Sequence, residues 1–100
     1  MAAMSLIHKA TLLLDMKGDV DRAISVLREA IDHADLVGQK SLSGEARVFL
    51  AQVLREKQGG MADFEVETLL RKAVEIANEL EGEPDLYPWK NLASKLLELN

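Results

Sequence analysis

The chain contains no cysteine. That excludes disulfides and thiolate metal ligands. Proline occurs only twice, and aromatic residues make up 4% of the chain. There is no extended alternation of apolar and polar residues, so a strand-rich fold has little to build on. No run approaches the ~18 apolar residues of a membrane-spanning helix. The opening stretch, Met1 to Leu14, carries His8 and Lys9 inside its apolar half and lacks the ordered sections of a signal peptide. The expectation is a cytoplasmic protein, or a piece of one, with no membrane partner. Positive charge is also short. Twelve basic residues against 17 acidic ones leave a formal charge of −5. Phosphate backbones attract basic surfaces, so no nucleic-acid partner is expected.

What is present favours helix. Leu, Ala, Glu, Lys and Arg dominate, and 48% of the residues are apolar. The reading is all-α, with a single domain over residues 1–100. The clearest stretch is Gly18 to Ala34. Val20, Ala23, Ile24, Leu27, Ala30, Ile31 and Ala34 recur at spacings of three and four, the period of a helix with one buried stripe. Gly18 supplies a turn and Asp19 an N-cap.

Five helices follow from the same reasoning. The first spans 2–16, with Leu6, Ile7, Ala10, Leu13 and Leu14 as its core face. The second runs from Val20 to Val37 and stops at Gly38, which suits a left-handed position. Gln39 to Gly44 reads as a polar connection, with Ser41 or Ser43 capping a third helix over Gly44 to Gln58. Its inward residues are Ala46, Leu50, Ala51, Val53 and Leu54. Gly59 and Gly60 break it. Asp63 caps a fourth helix that buries Phe64, Leu69, Leu70, Ala73, Ile76, Ala77 and Leu80. Residues 81–84 end it. A fifth helix occupies 85–99, with Trp89, Leu92, Ala93, Leu96 and Leu97 on its apolar face. Short links between neighbours imply antiparallel hairpins, over 2–37 and 41–81, followed by a terminal helix.

The helices repeat. Leu27-Arg28-Glu29-Ala30-Ile31 matches Leu70-Arg71-Lys72-Ala73-Val74, 43 residues later. The odd-numbered helices also align, as Ile7-x-x-Ala10-Thr11-x-x-Leu14, Arg47-x-x-Leu50-Ala51-x-x-Leu54 and Trp89-x-x-Leu92-Ala93-x-x-Leu96. A small residue at each centre lets a neighbouring helix approach closely.

This pattern resembles the tetratricopeptide repeat, whose first helix reads W-x2-L-G-x2-Y and whose second carries A-x3-F. Trp89 to Leu96 is the closest match to the first helix. Gly18, Ala23, Leu27 and Ala30, and then Val66, Leu70 and Ala73, match the turn and second helix. The period exceeds the usual ~34 residues, and the proline that commonly closes a repeat is missing near Asp35 and Asn78. The resemblance is therefore to a longer-period branch of the family.

The resemblance implies a right-handed stack of antiparallel hairpins, with first helices lining a concave groove for a peptide or helix. Carried over, the groove positions are Ser5, His8, Lys9, Leu12 and Met16, then Glu45, Val48, Phe49, Gln52 and Arg55, then Tyr87, Lys90, Asn91 and Ser94. Phe49 lies off the core stripe of its helix and reads either as a groove anchor or as a residue buried against helix one or five. Some family members hold a terminal carboxylate with lysine, asparagine and arginine. The corresponding positions here are His8, Leu12, Phe49, Tyr87 and Asn91, which suits a partner with apolar side chains. The implied role is a scaffold or adaptor module for a protein or peptide ligand.

Trp89, Leu92, Leu96 and Leu97, with Leu99, exceed what one neighbouring helix buries. A homodimer through this terminal face is the second expectation.

Catalytic chemistry finds little support. The two histidines, His8 followed by Lys9, Ala10 and Thr11 and His33 followed by Ala34, Asp35 and Leu36, do not fit the lysine-and-glycine pattern that follows a phosphotransfer histidine. A phosphotransfer bundle or a purely structural dimerisation domain is the alternative. Asp32, His33 and Asp35 are adjacent in sequence but point different ways on a helix. No metal, cofactor or enzymatic activity is expected. Glu29–His33, Arg28–Asp32 and Glu67–Arg71 have the spacing of helix-surface pairs.

Overall fold

The computed structural model of the chain describes residues 3–59, 64–80 and 88–99. Every regular element among them is helical: α1 (Ala3–Leu12), α2 (Val20–Val37), α3 (Lys40–Lys57), α4 (Phe64–Glu79) and α5 (Pro88–Leu99). The cap expected at Asp63, the groove position Tyr87, the stop at residues 81–84 and the start of the fifth helix at Asp85 lie outside the described residues.

α1 does not run to Met16 as a regular helix. It widens into a π-helical turn over Leu13–Lys17. Its exit is correspondingly long: the Asp19 N–H reaches the Leu13 carbonyl at 3.0 Å and the Gly18 N–H reaches Leu14 at 3.2 Å. A periodicity of three and four carries no sign of one wider turn.

α2 has the predicted bounds. The Asp19 side chain accepts a hydrogen bond from the Arg22 N–H at 3.3 Å, satisfying one first-turn donor. At the other end Gly38 adopts φ 75°, where a Cβ would be strained. The Gln39 N–H then donates to the Ala34 carbonyl at 2.9 Å and closes the last turn.

The connection to α3 differs from the sequence reading. Only Gly38 and Gln39 separate the helices, and α3 begins at Lys40 rather than Gly44. Ser43 and Gly44 are poor helix formers and read as loop. Both are buried inside α3. Ser43 is held by side-chain partners, and Gly44 lies beneath the ring of Trp89, so tertiary contacts override local propensity.

α2 and α4 bury the same stripe. Ala23, Leu27, Ala30 and Ala34 on one, and Val66, Leu70, Ala73 and Ala77 on the other, are all at most 1% exposed. The two sets stand 43 residues apart. Phe64, expected inside, is 84% exposed. It precedes Val66 by two residues, about 200° around the helix, so the stripe that buries Val66 turns Phe64 outward. Leu69 and Leu80 are half-buried against the core.

Sequential helices pack on one another, and α3 also touches both α1 and α5. The thinnest dimension is 22 Å, about two helix diameters. α3 is held through its basic residues. Lys40 pairs with Glu79 of α4 at 3.1 Å, Arg47 with Asp35 of α2 at 2.8 Å, and Lys57 with Asp21 of α2 at 2.6 Å. Arg28 does not pair with Asp32. It reaches across to Glu65 of α4 with two bonds, 2.8 and 3.0 Å, and that partner raises its pKa. Glu67–Arg71 pairs as spaced, at 2.7 Å. No ion pair joins Glu29 and His33 among the described residues.

Candidate interaction groove

A helix whose core residues face α2 and α4 leaves one line free. On α3 that line is Glu45, Phe49, Gln52 and Glu56, spaced four, three and four. Glu45 and Glu56 are exposed, and Phe49 and Gln52 are half-buried. α5 lies beside it and brings Trp89, Leu92 and Leu96 to the seam. The helices meet closely at Gly44, where a Cβ would stand under 3 Å from three carbons of the Trp89 ring.

Two hollows follow that seam. One, of about 250 Å³, is lined by Glu45, Val48, Phe49, Gln52, Trp89 and Leu92. The other, of about 480 Å³, is lined by Gln52, Arg55, Glu56, Gly59 and Leu96. Gln52 borders both, and its amide carries donor and acceptor atoms. Arg55 is half-buried, and its Nη1 donates to the Leu96 carbonyl at 3.4 Å.

The structure thus brings together Glu45, Phe49, Gln52 and Arg55 of the expected groove set. Phe49 is half-buried, packs against the core and lines a hollow. Val48 is buried and forms floor rather than wall. His8, Lys9, Leu12, Ser5 and Met16 are exposed on or after α1, but none of them lines these hollows. On α5 the wall comes from Leu92 and Leu96. Asn91 and Ser94 are exposed and Lys90 is half-buried, and none of the three lines either hollow.

The terminal face is also distributed differently from the sequence reading. Trp89 is 7% exposed and belongs to the core. α5 packs on α3 as well as α4, so two helices share the burial that one was expected to supply. Leu92, Leu96 and Leu97 are half-buried against the same core.

A third hollow, of about 330 Å³, lies between α2, α3 and α4. Its lining includes Asp35, Lys40, Ser43, Lys72 and Glu79. Here the Ser43 hydroxyl donates to Asp35 Oδ1 at 2.5 Å, and Arg47 donates to both Asp35 oxygens at 3.2 and 2.8 Å. Arg47 also contacts the Ser43 hydroxyl. These bonds, Arg47's first, hold the Asp35 carboxyl below the usual carboxylate range. The arrangement locks the α2–α3 hinge. The sequence hides it, because Asp35 and Ser43 meet only once the link shrinks to two residues.

Among the described residues, no three His, Asp or Glu side chains converge as a metal site would require, and no helix is long and apolar enough to cross a membrane. No protein-family model, curated protein or solved structure matches the chain.

Proposed function

We propose that this chain is a tetratricopeptide-like interaction module, a scaffold or adaptor that takes a peptide or helix of a protein partner along the face of α1, α3 and α5. The observation that carries the reading is the α3–α5 seam. Two adjoining hollows there share Gln52 and are walled by Phe49, Leu92 and Leu96. Such a surface offers apolar recesses for side chains and an amide for a peptide backbone. Three further features support it. The buried stripe recurs 43 residues apart, at equal depth. First helices touch one another through α3. The body is two helices thick. The reading assigns the chain no catalytic step and no cofactor.

The test is selection of binders from a displayed random-peptide library, followed by mapping of the best binder by amide chemical shifts. Shifts concentrated at Phe49, Gln52, Leu92 and Leu96 are expected, with weakened binding in Phe49→Ala at unchanged helicity. Shifts confined to α2 and α4, or a library that yields no binder, overturn the reading.

A further inference from the structure

We propose that the hollow at Glu45, Phe49 and Trp89 receives the cationic side chain of a basic peptide, a lysine or arginine. The inference rests on the interaction-module reading and names what its groove takes.

The hollow is about 250 Å³, below the roughly 300–1,000 Å³ of a typical small-molecule site. It suits one long side chain rather than a cofactor. Val48 at the floor and Leu92 at the wall supply apolar surface for a methylene stem. Phe49 and Trp89 are two of only four aromatic residues in the chain, and both line this recess. Aromatic rings attract a cationic head through their quadrupole. Among the described residues of the lining, Glu45 is the one that carries a charge. It is exposed and makes no ion pair among the described residues. Lys40, Arg47 and Lys57 of α3 pair with α2 and α4, on other sides of the helix from Glu45. A carboxylate beside apolar and aromatic walls is complementary to an ammonium or guanidinium on an apolar stem. The net charge of −5 draws a cationic partner in the same sense.

Trp89 is the single tryptophan, so its emission reports on filling of the recess directly. The probe is a blocked pentapeptide, alanyl-leucyl-lysyl-leucyl-alanine, beside versions with norleucine or glutamate at the centre. The lysine peptide is expected to give a saturable change in emission and to bind about fivefold or more tighter than either counterpart at low salt. Glu45→Gln, at an exposed and unpaired position, should bring lysine and norleucine within about twofold of each other. Phe49→Leu should also reduce the preference while keeping the wall apolar. Equal binding of lysine and norleucine, or a lysine preference that survives Glu45→Gln, overturns the assignment. If the norleucine or glutamate peptide binds best, the interaction-module reading stands and the cation assignment alone falls. If none of the three gives a saturable change, the cation assignment falls and the library selection decides the module.

Discussion

The indole of Trp89 on α5 lies against the bare backbone of Gly44 on α3, closer than any side chain at that position would permit. This contact sets how near α5 sits to α3 and gives the seam its depth. Gly44→Ala therefore sets two effects against each other. Alanine improves helix propensity by about 0.5–1 kcal/mol. The added methyl forces the ring out of its seat, an overpacking cost of about 1–3 kcal/mol. The second should win. A lower melting temperature and a red-shifted, more quenchable Trp89 emission are expected. Raised stability with unchanged emission would show that the contact is looser than described.

The equal depth of Leu27 and Leu70 gives a prediction about the repeat. Both side chains are fully buried at corresponding places on α2 and α4. Leu27→Ala and Leu70→Ala should each cost about 2–5 kcal/mol, enough to remove much of a small domain's stability. Phe64→Ala, at an 84% exposed residue, should stay within about 0.5 kcal/mol. Urea unfolding of the three variants checks the contrast. A large effect at Phe64 would place that side chain inside.

Asp35 makes stability depend on pH in a definite direction. Its carboxyl is held low chiefly by the Arg47 hydrogen bonds, with Ser43 adding to them. A depressed folded-state value means that the carboxylate stabilises the fold above its unfolded pKa of about 3.9. The contribution is lost as the pH falls through the lower folded value. The Asp35 side chain is 46% exposed, so solvent screening limits the effect to below about 1 kcal/mol. Asp35→Asn should lower stability at pH 7 and flatten the decline between about pH 5 and pH 2. An unchanged acid limb would exclude Asp35 as a contributor.

Gly38 carries the hinge into α3 at φ 75°. Gly38→Ala should cost about 1 kcal/mol, because an L-residue with a Cβ disfavours that conformation. Open space surrounds the position, so the loss is conformational rather than steric. Thermal unfolding measures it. No change would mean that the hinge relaxes to another turn.

The sequence was most informative where periodicity was strong and caps were local. The bounds of α2 follow from Asp19, Gly38 and an apolar stripe at three and four. It was least informative around Ser43 and Gly44. Those residues carry loop propensity, and only contact with Asp35, Arg47 and Trp89 turns them into helix. The burial of α5 was hidden for a related reason. Leu92 and Leu96 read as surplus apolar surface, and only the packing of α5 on both α3 and α4 half-buries them.

By itself the chain determined its helical character, the repeated stripe and the first turn of α2, because these depend on residues within a few positions of one another. Which side of α3 stays open, how deep Trp89 sinks and which partner Arg28 takes were decided by the tertiary structure. Each depends on groups about forty residues apart in the chain, and their distance is fixed only when the helices pack.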